Sequence, residues 1–204
     1  MRVQRLKGSG QIYTCNVYLV RGDWNALEDV NTLVDVGQDP AILAQIEAAA
    51  TGVGKRKVEQ VILTHSHYDH AGLLPTIRAL YQPLVTAWAP AVEGLDRALR
   101  EGDRVLLGDT VFEVWHVPVH SDDSICLYSE QQGVLFSGDT PLLVNGPDGT
   151  FDEKFLVVLE RLCRRPPRVI YPGHGEPLQD DLGTRLRASL EHVRRSLTRQ
   201  SWGA

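Results

Sequence analysis

A chain of 204 residues is long enough to bury the core of one domain and too short for two ordinary ones, so a single domain over residues 1–204 is expected. Its 43% apolar and 23% charged residues are those of a soluble globular protein, and a formal net charge of −5 offers no electrostatic footprint for nucleic acid. The pairs Arg164-Arg165 and Arg194-Arg195 read as solvated helix ends. No apolar run approaches the roughly 18 residues of a membrane span. Met1 to Thr14 carries no apolar leader segment, so the expected location is the cytoplasm. Cys15, Cys126 and Cys163 are widely spaced and odd in number, which suits buried small hydrophobes in a reducing compartment rather than a disulfide framework.

Short apolar runs rich in β-branched residues predict strands at Cys15–Val20, Thr32–Val36, Val61–Leu63 and Leu84–Ala87. Further strands are expected at Arg104–Leu107, Val111–Val117, Ile125–Tyr128, Val134–Phe136 and Val169–Tyr171. Gly108-Asp109 between two of them signals a hairpin. Helices interrupt the strands. Asp39-Pro40 reads as the N-cap and first turn of a helix through Ile42, Leu43 and Ile46. Apolar stripes at helical spacing follow at Leu73, Leu74, Ile77, Leu80 and Tyr81, and again at Phe155, Leu156, Leu159 and Leu162. A last helix at about 180–200 places Leu182, Leu186, Leu190, Val193 and Leu197 on one face. Its amphipathic character suits docking on its own domain or on a second copy, so a homo-oligomer stays open. The pattern implies sheets covered by helices, without saying how the sheets pack.

Of seven histidines, three fall in His65-Ser66-His67-Tyr68-Asp69-His70. The run sits between the strand Val61–Leu63 and a helix. In extended backbone His65 and His67 point to one side and can reach one metal ion. Asp69 and His70 come as the chain turns into the helix and can face a second ion. His120, Asp139 and His174 each stand at the end of an apolar strand, where a rigid scaffold presents its loops. Glycines at Gly138, Gly173 and Gly175 leave room for close approach.

Thr64 to His70, then Pro118-Val119-His120, Ser137-Gly138-Asp139-Thr140 and Pro172-Gly173-His174-Gly175 together resemble the metallo-β-lactamase superfamily, over about Asn16 to Pro177. The resemblance implies an α+β fold, a four-layer αββα sandwich with its site on one edge. It puts His65, His67 and His120 on a first metal and Asp69, His70 and His174 on a second, with Asp139 bridging. Two divalent ions about 3.5–4 Å apart, zinc above iron or manganese, would activate a bridging hydroxide against a small-molecule substrate. Asp69 is also the expected catalytic proton carrier. Asp35 resembles the family's early Asp and would orient a ligand imidazole from behind. Tyr68 is a candidate pocket wall. His116 and His192 read as structural.

The departures matter as much. Asp139 argues against antibiotic hydrolysis, since a true β-lactamase usually lacks that bridge. Glyoxalase II continues into a helical glutathione-binding domain, whereas this chain ends after one helix and shows Asn145-Gly146-Pro147-Asp148-Gly149 after the bridging Asp. Acyl-homoserine lactonases carry a tyrosine where Leu142 stands. His120-Ser121-Asp122-Asp123-Ser124 departs from the common His-Thr-Pro-Gly-Ser, and its two added carboxylates would disfavour an anionic substrate nearby. The expected function is hydrolysis of an ester, thioester or lactone. The alternative is a persulfide dioxygenase holding one iron through His65, His120 and Asp139; a nuclease or β-lactamase ranks below both. Leu142–Phe151 and Trp88–Leu95 are expected to line the pocket.

Overall fold

The structure, a computed structural model, describes residues 1–88, 93–146 and 151–202, with side chains described as far as residue 199 in the last helix. Asn145 and Gly146 lie within it, but residues 89–92 and 147–150 of the two expected pocket loops lie outside the described residues.

The first sheet runs β1 (Arg2–Leu6), β2 (Val17–Arg21), β3 (Thr32–Val34), β4 (Gln60–Ile62), β5 (Leu84–Trp88) and β6 (Arg97–Leu99), in that spatial order. The first three strands are antiparallel and the rest pair in parallel, β4 following helix α1 (Ile42–Ala48) and β5 following helices α2 (Tyr68–Ala71) and α3 (Leu74–Tyr81). In the second sheet β7 (Arg104–Leu107), β8 (Thr110–His116), β9 (Ile125–Ser129) and β10 (Val134–Gly138) form antiparallel pairs. The strand β11 (Val169–Pro172) then adds in parallel to β10, after the helix α4 (Glu153–Arg164). The final helix is α5 (Leu182–Trp202).

Strand alternation decides the layering. One side of the first sheet presents Val17, Leu19, Leu33, Val61 and Val85 to Ile42, Ile46, Leu74 and Ile77 of α1 and α3. The other side presents Tyr18, Val20, Val34 and Ile62 to Phe112, Val114, Ile125, Leu127 and Phe136 of the second sheet. The outer side of that sheet, Trp115, Cys126, Tyr128, Leu135 and Ile170, packs on α4 and α5 through Phe155, Leu159, Leu186 and Val193. Helix, sheet, sheet, helix is therefore the order of layers, the αββα sandwich. Each buried Val, Leu, Ile or Phe contributes about 1.5–3 kcal/mol, so the three apolar seams dominate the stability.

One of two local expectations shifts and the other holds. The helix α1 begins only at Ile42, with Ala41 in the cap position and no side-chain cap. Asp39 instead accepts Ala41 N–H through Oδ1, and Ser9 N–H and hydroxyl through Oδ2, tying the Gly8–Gly10 turn to the fold. The hairpin at Gly108-Asp109 forms, with Leu107 opposite Thr110 and a positive φ of 58° at Gly108, the backbone that a two-residue turn asks of its first glycine.

Candidate metal centre

All of the sequence-selected ligand positions lie on one edge of the sandwich. The run from His65 leaves β4, and α2 begins at Tyr68, so Asp69 and His70 turn inward on its first turn. His120 lies in the connection from β8 to β9, Asp139 follows β10 and His174 follows β11. Gly138, at φ 50°, turns the chain beside Thr64, and Gly173 packs where a Cβ would lie 2.1 Å from Asp139 Oδ1. Only glycine admits the carboxylate there.

Two clusters result. The ligand atoms of His65, His67 and His120 lie within 4.8 Å of one another, as do those of Asp69, His70, Asp139 and His174. In the first, His120 Nε2 is 3.0 Å from His67 Nδ1. In the second, His174 Nε2 is 3.1 Å from Asp69 Oδ2, and His70 Nε2 is 3.8 Å from the same oxygen. Asp139 stands between them: Oδ1 is 3.2 Å from His70 Nε2, while Oδ2 is 3.4 Å from His174 Nε2 and 3.7 Å from His120 Nε2.

Three polar atoms at this point are buried without a hydrogen-bond partner: His65 Nε2, His70 Nε2 and Asp139 Oδ1. Leaving such groups unpaired costs roughly 1–3 kcal/mol each. Buried ligand atoms converging without a hydrogen-bond partner are what a cation would satisfy, so the residues fit metal binding. A family model described as the Metallo-beta-lactamase superfamily matches residues 11–174.

The chain belongs to that superfamily.

Among relatives of this superfamily member, the Probable metallo-hydrolase YqjP of Bacillus subtilis (strain 168) is 30% identical over 224 residues, covering 79% of this chain and 67% of the relative. The Atrochrysone carboxyl ACP thioesterase of Aspergillus fumigatus is 28% identical over 177 residues, or 85% of this chain and 54% of the thioesterase. The chain thus spans about half the length of that thioesterase. A solved structure described as TTHA1623 in a di-iron-bound form shares 25% identity at a TM-score of 0.64, covering 91% of this chain and 98% of that one.

Behind the metallo-β-lactamase-type clusters lies a hydrogen-bonded carboxylate. Asp35, buried and held at a φ of 58°, accepts Thr64 N–H at 2.7 Å and the Thr64 hydroxyl at 2.9 Å. It also lies 2.9 Å from His70 Nδ1. The Thr64 proton being spent on Asp35, its oxygen is left to accept Nδ1–H of His65 at 3.1 Å. Both imidazoles would then present a bare Nε2 to a bound cation. Left-handed backbone in a non-glycine residue costs energy, and at Asp35 it aims one side chain at three donors.

Electrostatics favour the neutral form of His65. Burial, then the neighbouring His70, pushes its imidazole down to about 4, so it is neutral at pH 7. Burial alone would lower His70 as well, yet Asp35 and Asp139 outweigh it and raise His70 well above the histidine range. In the metal-free chain a proton on His70 balances two carboxylates; a cation at Nε2 would take its place and release it. Asp139 is held below the carboxylate range: burial opposes the charge, and His70 and His174 more than offset that.

Of the remaining expectations, Tyr68 stands 71% exposed at the start of α2 and is not among the residues lining the cavity beside Asp139. His116 stacks on Trp88 with ring centres 3.7 Å apart and belongs to neither cluster. Three residues take contacts that the sequence did not assign to them. Thr64 is one; Tyr13 is another, its ring stacked 5.2 Å from that of His174 and its hydroxyl 3.4 Å from His174 Nε2. The third is Asp123, which turns into its loop and accepts Ser66 N–H and the Ser121 hydroxyl. Of the two added carboxylates, Asp122 is exposed and Asp123 is half-buried. A cavity of about 360 Å³ opens on His120, Asp139 and His174, walled by Leu142, Leu143 and Leu178, with no Lys or Arg among the described residues that line it.

Proposed function

We propose that the protein is a dinuclear metal-dependent hydrolase acting on an ester, thioester or lactone whose acyl portion is uncharged. The observation that carries this reading is Asp139, whose two oxygens reach toward both ligand clusters. In this reading His65, His67 and His120 hold the first ion, Asp69, His70 and His174 the second, and Asp139 both. When bound, two divalent ions supply an activated water and a Lewis-acidic partner for a carbonyl oxygen.

The chain's own groups do the rest. Asp69 Oδ2, beside His174 Nε2, is placed to take a proton from the attacking water and return it to the leaving oxygen or sulfur. The new bond joins water oxygen to the acyl carbon, and the bond to the leaving group breaks. Leu142, Leu143 and Leu178 offer the acyl portion an apolar wall. Similarity to the Bacillus metallo-hydrolase and the fungal thioesterase supports hydrolysis. The di-iron-bound relative supports two ions and leaves zinc, iron and manganese in competition.

A panel of esters, thioesters, lactones and persulfides, offered to metal-loaded and chelator-treated protein, tests the reading. Metal-dependent acid release from one of the first three classes supports it. Dioxygen uptake with a persulfide and a single iron per chain would replace it with the dioxygenase.

A further inference from the structure

Asp123 has no part in the hydrolytic scheme, yet its half-buried carboxylate is divided between two loops. Oδ2 accepts the backbone N–H of Ser66 at 2.8 Å, and Oδ1 accepts the Ser121 hydroxyl at 2.7 Å. Ser66 lies between His65 and His67, and Ser121 follows His120. One side chain therefore joins the segments that carry all three histidines of the first cluster. Those segments belong to different sheets: one leaves β4 and the other connects β8 to β9.

The surroundings reinforce the joint. Ser121 N–H donates to Ser124 Oγ at 3.1 Å, and the two hydroxyls lie 2.7 Å apart, which closes the loop around the carboxylate. Ile125 N–H donates to Thr64 O at 2.8 Å at the root of the same two segments. Beyond that root, Asp123 and the His67–His120 ring pair are the hydrogen-bonded links between the segments among the described residues. Hydrogen bonds to an ionised acceptor are shorter and stronger than neutral ones, so this link is a stiff one. Asp122 differs: it is exposed, and its carbonyl accepts from His116 Nε2 at 2.8 Å.

We infer that Asp123 is a positioning residue for the first metal ion. It locks His65 and His67 against His120, setting the affinity of the three-histidine site and leaving the Asp69–His70–His174 site unchanged. The inference rests on those three histidines being ligands.

Titration of metal-free protein with zinc against a competing chelator tests it, with His120→Ala identifying which binding event belongs to the three-histidine site. Asp123→Ala is expected to weaken that event about 10–100-fold and to spare the other. Ser121→Ala, which removes a single hydroxyl, is expected to weaken the same event to a smaller extent and carries the test should Asp123→Ala not fold. A purely structural role would lower the unfolding temperature of the metal-free variants while both affinities hold; that outcome, or equal weakening of both events, overturns the inference. A wild-type chain that binds no zinc, iron or manganese overturns the metal reading beneath it.

Discussion

One oxygen of Asp35 lies 2.9 Å from His70 Nδ1 and 2.9 Å from the Thr64 hydroxyl, and through Thr64 it reaches His65. A single carboxylate thus orients one imidazole in each cluster. Asp35→Ala should weaken both metal sites about 10–100-fold, unlike any change at Asp123. It should also destabilise the metal-free chain, since each buried donor left unpaired costs roughly 1–3 kcal/mol. Asp35→Asn should be milder, because asparagine tolerates the left-handed backbone and keeps one acceptor oxygen. Metal titration and urea unfolding check both; wild-type affinities in the alanine variant would refute the shared role.

Gly173→Ala should disable the site without unfolding the protein. The added methyl would sit 2.1 Å from Asp139 Oδ1 and 2.8 Å from His70 Cε1, so the carboxylate must move. A displacement near 1 Å at reacting groups costs about 10²-fold in rate. Steady-state kinetics should show that loss, while the unfolding temperature of the metal-free variant stays near that of the wild type.

Asp69→Asn separates proton transfer from metal holding. The amide keeps an oxygen ligand but cannot accept the proton, so kcat should fall by about 10²–10⁴-fold with metal content largely retained. Metal analysis beside kcat reads the difference. Equal losses of metal and rate would reduce Asp69 to a ligand.

These contacts were unequally legible in the sequence. Alternating apolar strands and one-faced helices gave away most elements, because each buries a continuous seam. The strand β1 escaped because Arg2, Gln4 and Arg5 interrupt its apolar residues, and β6 because three residues, Arg97–Leu99, carry no period. The ligand positions were visible because histidines crowd into one short run and the others end strands beside glycines. Thr64, Tyr13 and Asp123 are ordinary residue types, and their roles lie in contacts that no local pattern records: Asp123 meets Ser66 across 57 positions, and Tyr13 meets His174 across 161. Asp39 was recognisable as a capping acid, but not as the acceptor for Ser9, 30 residues away.

Asp39 supplies a pH test of the fold. The Ser9 hydroxyl first, then Ala41 N–H, hold its carboxyl below the ordinary range. A folded pKa below the unfolded one means that the contribution is complete above the unfolded value, about 3.9, and is lost as pH falls through the folded value. The stability difference between wild type and Asp39→Asn should therefore be constant from about pH 7 to pH 5 and shrink below about pH 4. Urea unfolding across that range measures it; a gap that widens in acid would contradict the assignment.

The number of metal ions bound per chain tests the central claim most directly. Elemental analysis of protein reconstituted with zinc, iron or manganese should give two ions per wild-type chain and fewer than two for Asp139→Ala, whose missing carboxylate serves both. One ion per chain at saturation, or an Asp139→Ala variant that still binds two, would contradict a dinuclear centre built on Asp139.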